Sequence, residues 1–150
     1  MAERVRALLI TPDSQLLTIM RVRPGRNPYL VLPGGGVEPG EDHRSALARE
    51  LREELAATAE IGGLVHVYAY AGQTQYVYLA RALTWSADAL DRIAAENADP
   101  GHGEYHLLAV PLTVRALSAI GLEPESLRQI LLQHLASGQD PESLPIPGRD

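Results

Sequence analysis

Turn-forming residues interrupt this chain so often that no apolar run approaches the roughly 18 residues a membrane-spanning helix needs. Clusters stand at Thr11-Pro12-Asp13-Ser14, Pro24-Gly25-Arg26-Asn27-Pro28, Pro33-Gly34-Gly35-Gly36 and Pro39-Gly40-Glu41-Asp42. Only short elements fit between them. Residues 5–10 and 16–22 read as the two strands of a hairpin. Residues 29–32 read as a short strand broken by the glycines at 34–36. A second hairpin joins 64–70 to 74–80 through Ala71-Gly72-Gln73, and 105–110 is a last strand ended by Pro111.

Helical patterns are fewer. Leu47, Leu51 and Leu55 recur at i+4 within 43–55, among Ala, Glu and Arg, which favour helix. Asp42 is placed to cap that helix. Leu127, Ile130, Leu131 and Leu135 share a face of a helix over about 125–137, with Pro124 expected at its first position and Gly138 at its end. A further helix is expected over 86–98. Hairpins plus helices predict an α/β (α+β) fold: a sandwich with a mixed central sheet and helices on both faces. One domain is expected over 1–138, followed by a Pro-containing extended tail at 139–150.

Composition excludes several chemistries. The chain has no Cys, so thiolate ligands and thiol nucleophiles are ruled out. All 13 basic residues are Arg, which rules out a P-loop lysine and a Schiff base. A net charge of -6 argues against a structural nucleic-acid binder. It is compatible with an anionic small molecule if divalent cations stand between the two sets of negative charge. Met1-Ala2-Glu3-Arg4 lacks the order of a signal peptide, so a cytoplasmic protein with no membrane partner is expected.

Acidic residues crowd one segment: seven of the 19 acids lie between Glu38 and Glu60. Glu50, Glu53 and Glu54 fall at i, i+3 and i+4 and share a helix face next to the leucines. A solvated acidic face, with Arg49 reaching Glu53 one turn on, is one reading. The other is a nest of hard oxygen ligands for Mg²⁺, with Mn²⁺ as substitute. A glycine loop directly upstream favours the second, because glycine lets backbone approach a phosphate closely.

These residues resemble the Nudix box of Nudix hydrolases. Gly35, five residues, Glu41, seven residues, then Arg49-Glu50-Leu51-Arg52-Glu53-Glu54 follow that family's spacing, and 32–40 resembles its lead-in. One position departs: Ala56 replaces the late Gly that serves the turn out of the helix, and Ala57 follows as a weak apolar residue. The resemblance implies hydrolysis of a nucleoside diphosphate linked to another moiety, with a small-molecule nucleotide as substrate and Mg²⁺ as cofactor. Carried over by position, Glu50, Glu53 and Glu54 would ligate metal and Glu41 would support them. Arg49 would orient a carboxylate, taken as Glu53, and Gly34, Gly35 and Gly36 would face the phosphates. The general base would be a box acid such as Glu50 or Glu53, or a later one, Glu96 or Glu104. A homodimer is an allowed assembly.

Substrate choice in that family is set outside the box. The markers of its NADH, coenzyme A and ADP-ribose branches are absent, and Tyr76 lies too far along for the dinucleoside polyphosphate marker. A nucleoside triphosphate or a related nucleotide is left. The reading of another class is a nucleotide-binding sensor that does not cleave; such domains have eroded boxes, whereas every charged position stands here. His43, His66, His102, His106 and His134 show no metal-ligand spacing. Tyr29, Tyr68, Tyr70, Tyr76, Tyr78 and Trp85 read as packing residues.

Overall fold

Strand β1 (Ala2–Ile10) is the axis of the sheet. The computed structural model describes residues 2–88, 91–92 and 103–144. Val5, Ala7 and Leu9 point to one side of β1, Leu8 and Ile10 to the other, and all five are buried. Burial on both faces explains why this strand reads as a continuous apolar run. One edge of β1 pairs in parallel with β6 (Gln73–Thr84). The other edge is shared. β2 (Gln15–Val22) takes Leu9 and Ile10, and β4 (Gly34–Gly36) takes Arg4, Val5 and Arg6. β3 (Tyr29–Val31) and β7 (Glu104–Pro111) flank β2, and β5 (Thr58–Tyr70) lies outside β6. The order is β3-β2-β1-β6-β5, with β4 on β1 and β7 on β2.

Helices close both faces. α1 (His43–Leu55) sets Ala46, Leu47, Leu51 and Leu55 on Val5, Ala7, Leu9, Leu17 and Ile19. Opposite it, α2 (Val114–Ala119) and α3 (Glu125–Ala136) bring Leu117, Leu127 and Leu131 to Leu8, Leu16 and Val77. Each fully buried Leu is worth ~1.5–3 kcal/mol, so packing holds α1 more firmly than its helix propensity does. After α3 the chain makes a 3-10 turn at Pro141–Ser143 and buries Leu144 in the second core. No helix among the described residues is long and apolar enough to cross a membrane.

The mixed sandwich matches the sequence expectation, with local corrections. Gly34–Gly36 is not a break but a short strand, recruited by β1 despite glycine's poor strand propensity. β5 starts at Thr58 rather than 64, across register shifts near Gly62 and Gly63 that interrupt apolar alternation. The six-residue helix α2 was not anticipated, being too short to display a periodicity. Pro124 is the cap of α3 rather than its first residue, since its ψ of 154° is extended. Gly138 turns left-handed after α3 as expected, with φ 78°. The helix expected over 86–98 lies largely outside the described residues; Asp88, Asp91 and Arg92 are helical.

Candidate active site

The two ends of α1 are defined by local chemistry. Asp42 accepts a hydrogen bond from the Ser45 N–H at 2.7 Å, satisfying one of the helix's free donors. At the other end Ala56 adopts the left-handed conformation, φ 48° and ψ 36°. Its N–H donates to the Arg52 carbonyl at 3.0 Å and the Ala57 N–H to the Leu51 carbonyl at 3.1 Å, a paired stop that normally uses glycine. The chain keeps the turn without the glycine.

Two glycines seat two of the helix's acids. Gly34 lies in β4 at φ 148°, and a Cβ there would collide with the Val5 carbonyl oxygen. Its N–H donates to Glu54 Oε1 at 2.8 Å. A Cβ on Gly35 would stand 2.5 Å from both carboxylate oxygens of Glu50. The β1–β4 pairing therefore carries the glycines to α1: Gly35's missing side chain makes room for Glu50, Gly34's lets the strand lie against Val5, and the Gly34 N–H holds Glu54.

Arg49 knits the remaining acids together. Its Nε and Nη2 grip Glu41 in a two-pronged bond at 2.8 and 2.9 Å. Nη1 donates to Glu50 at 3.0 Å and, more weakly, to Glu53 at 3.4 Å, and Nη2 also reaches the Gly36 carbonyl at 3.0 Å. The expected Glu53 partner is thus the longest of these hydrogen bonds, because Glu53 faces solvent with its side chain 58% exposed, while Glu41 is 15% exposed. Hydrogen bonds from Arg49 hold the Glu41 carboxyl down at about 2, and the same pairing raises Arg49. Glu54 goes the other way. Burial pushes it up to about 7, against the opposing pull of the Gly34 N–H and Arg6.

Two arginines escaped the sequence reading. Arg6 donates to Gln75 Oε1 and to the Leu32 carbonyl, both at 3.2 Å. Burial lowers its pKa, while Glu54 and Glu50 favour its charged form. Arg4 lies two residues earlier on the same strand face. The available signal was charge on the alternation that continues into Leu8 and Ile10. Glu104 opens β7 opposite Val22, and its ion-pair partner is His106 at 3.8 Å rather than a residue of the glycine–helix unit. Glu96 and His102 lie outside the described residues.

The donor set suits a hard divalent ion: four carboxylates and a nearby glycine backbone, with no soft ligand. Among the described residues, no three or more His, Asp or Glu side chains are gathered closely enough to hold one. Oxygens of Glu41, Glu50 and Glu54 are instead engaged by Arg49 and the Gly34 N–H.

Comparison with known proteins bears on the family and the fold. A family profile described as the NUDIX domain matches residues 2–111. Among solved structures, a NUDIX-family hydrolase from Clostridium perfringens aligns at 15% identity and TM-score 0.62, covering 91% of this chain and 97% of that one. A MutT NUDIX hydrolase from Burkholderia pseudomallei aligns at 24% and 0.57, covering 88% and 95%. The solution structure of the E. coli ORF135 protein aligns at 24% and 0.56, covering 91% and 89%. These likenesses establish the fold. No curated protein matches the sequence significantly. With its profile match over most of the chain, the protein belongs to the Nudix family of pyrophosphohydrolases.

Proposed function

We propose that this Nudix domain hydrolyses a phosphoanhydride bond in a nucleoside diphosphate derivative, with a nucleoside triphosphate or related nucleotide as the substrate class, in a Mg²⁺-dependent reaction. The observation that carries this reading is the seating of Glu50 and Glu54 on Gly35 and Gly34 beside the Arg49–Glu41 fork. When bound, Mg²⁺ or Mn²⁺ held by Glu50, Glu53, Glu54 and Glu41 would neutralise the diphosphate and acidify a water. The protein's own groups supply the rest. Arg49 keeps Glu41 ionised and in place. Gly34 and Gly35 are buried in β4 and seat Glu54 and Glu50 rather than opening backbone to a phosphate. Glu53 is the acid assigned to take the proton from the attacking water. It stands on α1 within the glycine–helix unit, whereas Glu104 opens β7 beside Val22.

Substrate class rests on sequence: branch markers for other Nudix substrates are missing. The intact charged positions support an enzyme over a sensor that binds without cleaving. Incubation with Mg²⁺ and a panel of nucleoside triphosphates, nucleotide sugars and dinucleotides tests both points. Release of a nucleoside monophosphate with pyrophosphate from a triphosphate is expected. Tight nucleotide binding with no turnover on any member would replace the enzyme by the sensor.

A further inference from the structure

The first turn of α1 is tied to the sheet by a contact outside the carboxylate set. His43, the first residue of the helix, places Nδ1 2.7 Å from the Tyr78 hydroxyl and Nε2 3.1 Å from Glu3 Oε2. Its ring lies against Tyr76 with centroids 4.5 Å apart. Strand register explains the meeting. Val5 pairs with Tyr76 and Ala7 with Tyr78, so both tyrosines project to the α1 side of the sheet, and Glu3 follows the same alternation. The Glu3 carbonyl also accepts from the Val37 N–H at 3.1 Å. Glu3 thus holds the chain on both sides of Glu41, at Val37 and at His43.

Arg44, next in this turn, also reaches the sheet, donating to the Ile61 carbonyl of β5 at 2.6 Å, but that bond runs to the far strand rather than to β1 and Glu3. Ala46 is the first buried residue of α1, and the Asp42 cap satisfies backbone without binding the helix to the sheet. Glu41 precedes the helix but shares the Arg49 guanidinium with Glu50. A first turn that slid would make Arg49 follow Glu41 or release it. Either movement changes the partner that Glu50 meets on Gly35.

We propose that His43 is a positioning residue for the metal-binding carboxylates: its bridge between Glu3 and Tyr78 fixes the segment bearing Glu41, keeps Glu41 in the Arg49 fork, and so holds Glu50 and Glu54 on their glycine seats. The proposal rests on the reading of this site as a metal-dependent hydrolase.

The test compares wild type with His43→Ala, His43→Gln and Tyr78→Phe. Two quantities are measured: Mn²⁺ binding to metal-free protein by calorimetry, and hydrolysis rate against Mg²⁺ concentration on the best nucleotide. His43→Ala should weaken Mn²⁺ binding, and raise the Mg²⁺ needed for half-maximal rate, on the order of tenfold, the low end for residues behind metal ligands. Its kcat at saturating Mg²⁺ should stay within about twofold, as for a residue absent from the transition state. Tyr78→Phe should shift both in the same direction by less. His43→Gln, whose amide can still reach Glu3, should recover part of the loss and serves as the second variant if His43→Ala does not fold. Unchanged Mn²⁺ binding in a folded His43 variant, beside a wild type that binds, overturns the proposal. A fall in saturating kcat with unmoved metal affinity overturns it too. A wild type that neither binds Mn²⁺ nor hydrolyses any nucleotide sinks the metal-site reading, and this one with it.

Discussion

Arg49 and Glu41 are joined by a two-pronged hydrogen bond across eight residues of sequence, at 2.8 and 2.9 Å. The pair stands outside the leucine face that anchors α1, yet it determines which acids are held and which are free. Glu41 is fixed and ionised; Glu53 is loose. This relationship makes Arg49 a poor site for a like-charged swap. Arg49→Lys keeps the charge but cannot bond Glu41 twice and Glu50 once from one planar group. We expect Arg49→Lys to fold and to lose on the order of 10- to 100-fold in activity, as orienting partners of ligands do. A rate equal to wild type under saturating Mg²⁺ would remove Arg49 from the site.

The raised pKa of Glu54 makes a pH prediction for metal-free protein. In the unfolded chain this carboxyl titrates near its ordinary value, and in the fold near about 7. The folded state therefore binds more protons between those values, and stability falls as pH rises through that window. The loss tends towards an order of 3 kcal/mol once Glu54 is fully ionised. Urea unfolding in EDTA at pH 5 and pH 8 checks it against Glu54→Gln. The variant should match wild type at pH 5 and exceed it at pH 8. An advantage that is the same at both values contradicts the burial argument.

Glu41 carries the opposite sign. Its folded pKa is about 2, below its ordinary value, so its contribution is present above that ordinary value and is lost as pH falls towards 2. Glu41→Gln should flatten the acid limb of the stability profile. An acid limb identical to wild type would show that the Arg49 fork is not maintained in solution.

Gly34 and Gly35 should separate under mutation although they are neighbours. A methyl group at Gly34 meets the Val5 carbonyl, which is backbone and cannot yield, at a φ of 148°. Gly34→Ala should cost several kcal/mol, as strained or overpacked sites do. At Gly35 the methyl meets the end of the Glu50 side chain, which can swing away. Gly35→Ala should therefore fold with a melting temperature near wild type and lose metal-dependent activity. Equal stability loss in the two variants would refute the seating of Glu50 on Gly35.

Ala56 offers a gain. An L-residue in the left-handed conformation costs roughly 1–2 kcal/mol, less the entropy glycine brings to the unfolded chain. Ala56→Gly should raise the urea midpoint by an amount equivalent to about 1 kcal/mol. A lowered midpoint would mean that the helix continues through Ala56 in solution.

What was legible in the sequence was local. Asp42 caps, the Leu47-Leu51-Leu55 ridge packs, and the hairpin at Ala71-Gly72 forms, because each depends on residues a turn or less apart. The acids, too, were found by spacing along one helix. What sequence did not reveal required distant partners. The glycines became a strand only because β1 offers an edge. Arg49 chose Glu41 over Glu53 because the loop folds back on the helix. Arg6 became part of the site through Leu32 and Gln75, the latter 69 residues away. Glu104 could not be placed without the β2–β7 pairing, which sets it opposite Val22.

The central claim is that α1's carboxylates bind the metal that supports phosphoanhydride hydrolysis. The most direct measurement is the hydrolysis rate of the best nucleotide by wild type, Glu53→Gln, Glu54→Gln and Glu60→Gln, each with Mg²⁺ and with EDTA. Glu60 lies on β5 with its side chain 66% exposed, beyond the site. The account predicts Mg²⁺-dependent turnover for wild type and Glu60→Gln, and a loss on the order of 100-fold or more for the other two in folded protein. Wild-type rates in Glu53→Gln and Glu54→Gln, or turnover indifferent to EDTA, would contradict it.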